Sequence, residues 1–132
     1  MTPELRWLAW SALLGFAQII ATSAATIRQR EGGLAWAAGP RDTPQPPPHG
    51  LAARLTRARD NFFETFPLFV AAVVAAQLGG VTGALTGWGA LVYFWARVVY
   101  VPLYAAGIGL RPVAWGASIL GILMVLAPSL FG

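Results

Sequence analysis

Arg57, Asn61 and Glu64 stand at positions i, i+4 and i+7 of the chain. On an α-helix that interval returns to within about 20° of the same face, so a guanidinium, an amide and a carboxylate point one way. Arg54 lies one turn earlier beside them. A second set follows: Arg97 and Tyr104 are also seven apart with Tyr100 between them, and Arg111 comes after Gly107 and Gly109. Arginine grips carboxylates and phosphates through a planar fork, while a lone carboxylate suits an ammonium. The two stripes, if they face each other, make a site for a polar, anionic small molecule.

The elements that carry these residues are set by composition. Of 132 residues, 57% are hydrophobic and 11% charged, and the mean hydropathy is +0.62. That leaves too little polar surface for a water-soluble domain of this size. The apolar residues fall into four blocks, each approaching the roughly 20 residues that span a hydrocarbon core. The expected architecture is all-α, an integral membrane four-helix bundle forming one domain over 1–132. Its helices are expected at about 5–28, 51–79, 85–106 and 112–131, with an exposed loop at about 29–50. The first block, Trp7 to Ile27, is interrupted only by Gln18 and small hydroxyls. It is too long and uniform for a cleaved signal peptide and is read as retained.

Between the first two blocks the composition turns to Arg, Gly and the run Pro44-Gln45-Pro46-Pro47-Pro48, a loop with polyproline character. The lone His49 falls in it. Gly79 to Gly87 carries no charge and reads as a tight turn between antiparallel helices. All nine basic residues are arginine. Four spans put Arg28, Arg30, Arg41, Arg54, Arg57, Arg59 and Arg111 on one side, which the positive-inside rule makes cytoplasmic. Both termini then face the opposite side of a multi-pass membrane such as the bacterial inner membrane.

An ionised arginine in the hydrocarbon costs at least about 2.5–3.5 kcal/mol on insertion scales, so such residues persist when paired or when they line a cavity. For any one residue a structural role suffices: Glu64 pairing with an arginine to pin helices, or Arg54 and Arg59 reaching headgroups. Jointly, the arginines, amide, carboxylate and phenols exceed what one ion pair needs. The chain has no cysteine, so thiol chemistry requires a thiol from the substrate, and no metal site is expected.

The stretch from Arg57 to Phe69, with Arg, then Asn four on, Glu three on and then Pro67, resembles the second-helix signature of the membrane-associated proteins in eicosanoid and glutathione metabolism, the MAPEG family. Arg97, Tyr100, Tyr104 and Arg111 are similar in spacing to its microsomal glutathione transferase and leukotriene synthase members. The resemblance covers about residues 51 to 115 in detail. It implies a four-helix protomer assembled as a homotrimer with glutathione between protomers. It further implies that Arg57, Asn61 and Glu64 hold the charged and amide groups of glutathione, with Arg54, Arg97, Tyr100 and Tyr104 in the same cofactor-binding set. Arg111 corresponds to the arginine near the glutathione sulfur and is the expected catalytic residue. Arg28 resembles an arginine reaching in from the adjoining protomer, and Arg30 fits that place equally well. Asp60 beside the site, a bend expected at Pro102 and the proline-rich loop depart from the family pattern.

The leading expectation is a glutathione-dependent transferase of detoxification type, or a peroxidase, acting on lipophilic electrophiles that arrive through membrane lipid. A non-catalytic lipid-binding scaffold of the same fold is the alternative, opposed by the retained Arg57, Asn61, Glu64 and Arg111. A small transporter or proton relay built on Glu64 and Arg97 lacks inverted repeats or broken helices to support it. Nucleic acid is not an expected partner, because the arginines gather at helix ends.

Overall fold

A computed structural model describes every residue from Met1 to Gly132. Its elements are α1 (Pro3–Ile27), α2 (Gly33–Ala38), α3 (Gly50–Leu78), α4 (Ala84–Ala105) and α5 (Arg111–Phe131). Four of them, α1, α3, α4 and α5, are long and apolar enough to cross a membrane. Lipid offers backbone groups no hydrogen-bond partner, and a helix satisfies its own, which is why these apolar blocks take this form. The ends carry the expected chemistry: Thr2 Oγ1 accepts from the Leu5 N–H at 3.4 Å, and Pro3 opens the first turn of α1.

Only 25 of 132 residues are buried, and Leu13, Phe16, Ile20, Trp88, Leu120 and Leu123 are among the large apolar side chains pointing outward. An outward apolar surface of this extent is solvated by acyl chains, so the interior need not be large. Without a hydrophobic drive between helices in lipid, packing relies on close approach and on interhelical hydrogen bonds. Gly89 and Gly121 supply the first. A Cβ on Gly89 would sit 2.7 Å from the Gly121 carbonyl oxygen, and one on Gly121 would sit 2.6 Å from that of Gly89. The α4 and α5 backbones therefore touch. Thr65 and Tyr93 supply the second, their hydroxyls 3.0 Å apart between α3 and α4. Above them Phe69 stacks on Tyr93 with ring centres 4.0 Å apart, within a core of Ala72, Val73, Ala76, Ala90, Ile122 and Val125.

One expectation is revised. The loop after α1 is not irregular throughout, because Gly32 adopts a left-handed φ of 81° and starts the short helix α2. Trp36 on α2 then donates its indole N–H to the Thr43 carbonyl at 3.3 Å and folds the segment back. The proline run after it has no regular structure. Pro102, where a bend is expected, lies inside α4, which runs on to Ala105.

Candidate functional site

The C-terminal end of α4 sets the position of the most exposed part of the site. Gly107, at φ 71°, closes α4 with paired bonds from its own N–H to the Tyr104 carbonyl at 3.0 Å and from the Ile108 N–H to the Leu103 carbonyl at 2.9 Å. This left-handed cap suits glycine. It reverses the chain so that α5 begins at Arg111 with Pro112 next, back over Tyr104. The Arg111 guanidinium lies over the Tyr104 ring, 4.2 Å from its centre. From the other side Arg57 Nε donates to the Tyr104 hydroxyl at 3.0 Å. One phenol thus orders two arginines from different helices.

Deeper in the bundle, Arg97 Nη1 donates to Asn61 Oδ1 at 2.9 Å, and its guanidinium lies 4.2 Å from the centre of the Tyr100 ring. Tyr100 and Tyr104 meet edge to face at 5.7 Å. The stripes on α3 and α4 therefore face each other through two direct hydrogen bonds, Arg97 to Asn61 and Arg57 to Tyr104.

These contacts frame a cavity of about 460 Å³ lined by Arg57, Asp60, Asn61, Glu64, Tyr100, Tyr104, Arg111, Pro112 and Trp115. A second cavity of about 350 Å³ shares Arg57, Tyr104 and Arg111 and adds Arg54, Gly107, Ile108 and Gly109. Arg54 also ties α3 to the end of α4, donating from Nε to the Ala105 carbonyl at 2.8 Å. Both volumes are in the range of small-molecule sites.

Glu64 does not take the structural role weighed for it. The chain's one ion pair joins Arg59 to Asp60 at 2.9 Å, so Glu64 faces the cavity exposed and unpaired. Asp60, which also lines the cavity, is paired with that neighbour through Oδ1. What remains around the cavities is one free carboxylate among Arg54, Arg57 and Arg111. Arg111 also stands at the first residue of α5, where the helix dipole adds positive character.

Two of the expected residues lie outside both cavities. Arg97 is 0% exposed and sits behind the wall, where Nε and Nη2 have no protein partner and the charge rests against Tyr100 and Phe62. It positions Asn61 and Tyr100 from behind. Arg28 caps α1, exposed and with no side-chain bond to the rest of the chain, whereas Arg30 donates to the Pro46 carbonyl at 3.2 Å and packs on Trp36. Trp115, one turn beyond Arg111 on α5, lines the larger cavity and was not expected there. The i, i+4 relation to Arg111 is the signal that would have found it.

No three histidine, cysteine, aspartate or glutamate side chains gather where they could share a metal ion. The model of the MAPEG family matches residues 7–131 of the chain. No curated protein matches it.

Proposed function

The chain belongs to the MAPEG family, integral membrane proteins of glutathione and eicosanoid metabolism, and from that premise we propose that it is a glutathione-dependent transferase acting on lipophilic electrophiles. The observation that carries this reading is the charge inventory of the larger cavity, one unpaired carboxylate facing Arg57 and Arg111 beside an amide and two phenols. Glutathione has one ammonium, two carboxylates and amide groups, and each finds a complement there.

In this reading Glu64 accepts from the ammonium, Arg57 and Arg54 clamp carboxylate, and Asn61 and Tyr100 bond the peptide groups. Arg97 holds Asn61 and Tyr100 in place from behind. Arg111 is the catalytic residue: a fixed cation beside the thiol raises the thiolate fraction by lowering the thiol pKa. Glutathione supplies the nucleophilic sulfur, which a chain without cysteine cannot. The new sulfur–carbon bond forms as the electrophile's leaving group departs. Pro112 and Trp115 provide an apolar wall continuous with the lipid-facing side of α5, from which such an electrophile would come.

The larger cavity is open in one protomer, and Arg28 is free at its outer end, both of which suit a homotrimer in which a neighbour's Arg28 completes the site. Arg28, Arg30, Arg41, Arg54, Arg57, Arg59 and Arg111 gather at the site's end of the bundle, and Arg6 alone stands at the other, so the site faces the cytoplasm. The test is binding: millimolar glutathione raises Tm of the purified protein, and Arg57→Ala or Glu64→Gln abolishes the rise. No rise with the parent protein overturns the transferase reading. Glutathione disulfide in place of a conjugate as product would assign peroxide reduction to the same site.

A further inference from the structure

At the opposite end of the bundle the starts of α1 and α4 border a third, open cavity of about 490 Å³, lined in part by Glu4, Trp7, Trp88 and Leu91. Glu4 is 1% exposed. Its Oε1 accepts from the Thr86 hydroxyl, and Thr86 Oγ1 in turn accepts from the Gly83 N–H at 2.8 Å. The carboxylate thus ties α1 to the first turn of α4, where the helix N-terminus favours negative charge. That role uses one oxygen. Oε2 is buried with no protein partner, and no arginine pairs with Glu4, since the chain's one ion pair lies at Arg59 and Asp60.

A group that completes this carboxylate donates hydrogen bonds, and the unpaired negative charge and the indole-rich lining favour a cation. An ammonium meets these demands, because its N–H groups donate to a carboxylate and its charge suits a lining that includes Trp7 and Trp88. A metal ion finds no second carboxylate, histidine or cysteine in the lining, and an anion is repelled by Glu4. Leu91 in the lining and the exposed Leu85 and Trp88 give an apolar tail a way out into the bilayer. Thr86 and Tyr104 are eighteen residues apart on α4, about 27 Å along the helix, so this cavity is separate from the basic one.

We propose that this cavity is a second ligand site, which takes the ammonium head of an amphiphile. The ammonium has two sources, an aminophospholipid of the bilayer or a hydrophobic amine entering from solution. The full chain, purified in a neutral maltoside detergent, is titrated with dioleoylphosphatidylethanolamine and with dodecylamine. Dioleoylphosphatidylglycerol and dodecanol serve as uncharged-head or anionic controls. The expected result is a saturable Tm rise of about 5–10 °C at a hundredfold excess over Kd with at least one amine and not with the controls. The amine that acts identifies the source.

Two variants separate the site from general detergent effects. Glu4→Gln keeps an acceptor for Thr86 and removes the charge. Gly87→Leu leaves the carboxylate intact and fills the cavity, since a Cβ there meets Pro3 at 3.6 Å and Glu4 Oε1 at 3.8 Å, both ordinary contacts. Both variants are expected to lose the shift. A shift kept by either folded variant, an equal shift with the controls, or no shift with either amine overturns the proposal.

Discussion

Replacing Glu64 with glutamine removes a charge and almost no volume, which isolates the electrostatic role assigned to it. Asp60 lines the same cavity but already shares its charge with Arg59 at 2.9 Å. Arg57 and Arg111 remain, so the variant cavity keeps its grip on carboxylate while losing its one carboxylate without an arginine partner. A hydrogen bond to a charged group contributes about 1.5–3 kcal/mol, which corresponds to an affinity loss of about 10- to 150-fold for glutathione. The decisive assay is a cycle by titration calorimetry, with parent and Glu64→Gln protein each binding glutathione and N-acetylglutathione. Acetylation removes the ammonium, so it should weaken the parent by a similar factor and the variant by much less. Independent, additive losses would refute the pairing of Glu64 with the ammonium and with it the orientation of the tripeptide.

Other outcomes follow from single contacts. Tyr104→Phe removes the acceptor for Arg57 but keeps the ring under Arg111; glutathione affinity should fall about 5- to 10-fold with thiolate formation on the saturated protein preserved. Arg97→Lys keeps the buried charge and loses the planar contact with Tyr100 and the bond to Asn61; binding should weaken although Arg97 lines neither cavity, as calorimetry will show. Gly121→Ala places a methyl group 2.6 Å from the Gly89 carbonyl oxygen, and overpacking of this kind costs about 1–3 kcal/mol, seen as a lower Tm. Thr65→Val strips the buried Tyr93 hydroxyl of its partner on α3 and should cost about 1–2 kcal/mol by the same measurement.

The four apolar blocks are the four long helices, because length and hydropathy alone decide what can span lipid. Much of the lining of the basic cavity was legible for a related reason. Arg57, Asn61 and Glu64, like Arg97, Tyr100 and Tyr104, are polar residues at helical intervals in apolar surroundings, and their cost in lipid marks them. Spacing along one helix says nothing of depth, so it did not separate Arg97, behind the wall, from Tyr100, in it. Nor did it distinguish Arg28 from Arg30, which differ through the fold of the loop around Trp36. The short helix α2 escaped notice because six residues between glycines carry no period. Glu4 escaped because its partner Thr86 is 82 positions away. A glutamate at the second residue of a helix looks like an exposed first-turn acid until the neighbouring helix is in place.

The central claim is that the basic cavity binds glutathione and that Arg111 turns it into a nucleophile. The ultraviolet difference absorbance of the thiolate, recorded as glutathione is added to the parent protein and to Arg111→Ala, tests this directly. The account predicts a thiolate signal that saturates with one glutathione per site in the parent and collapses in the variant while glutathione still binds. An equal signal in both proteins, or none in the parent at saturating glutathione, would contradict it.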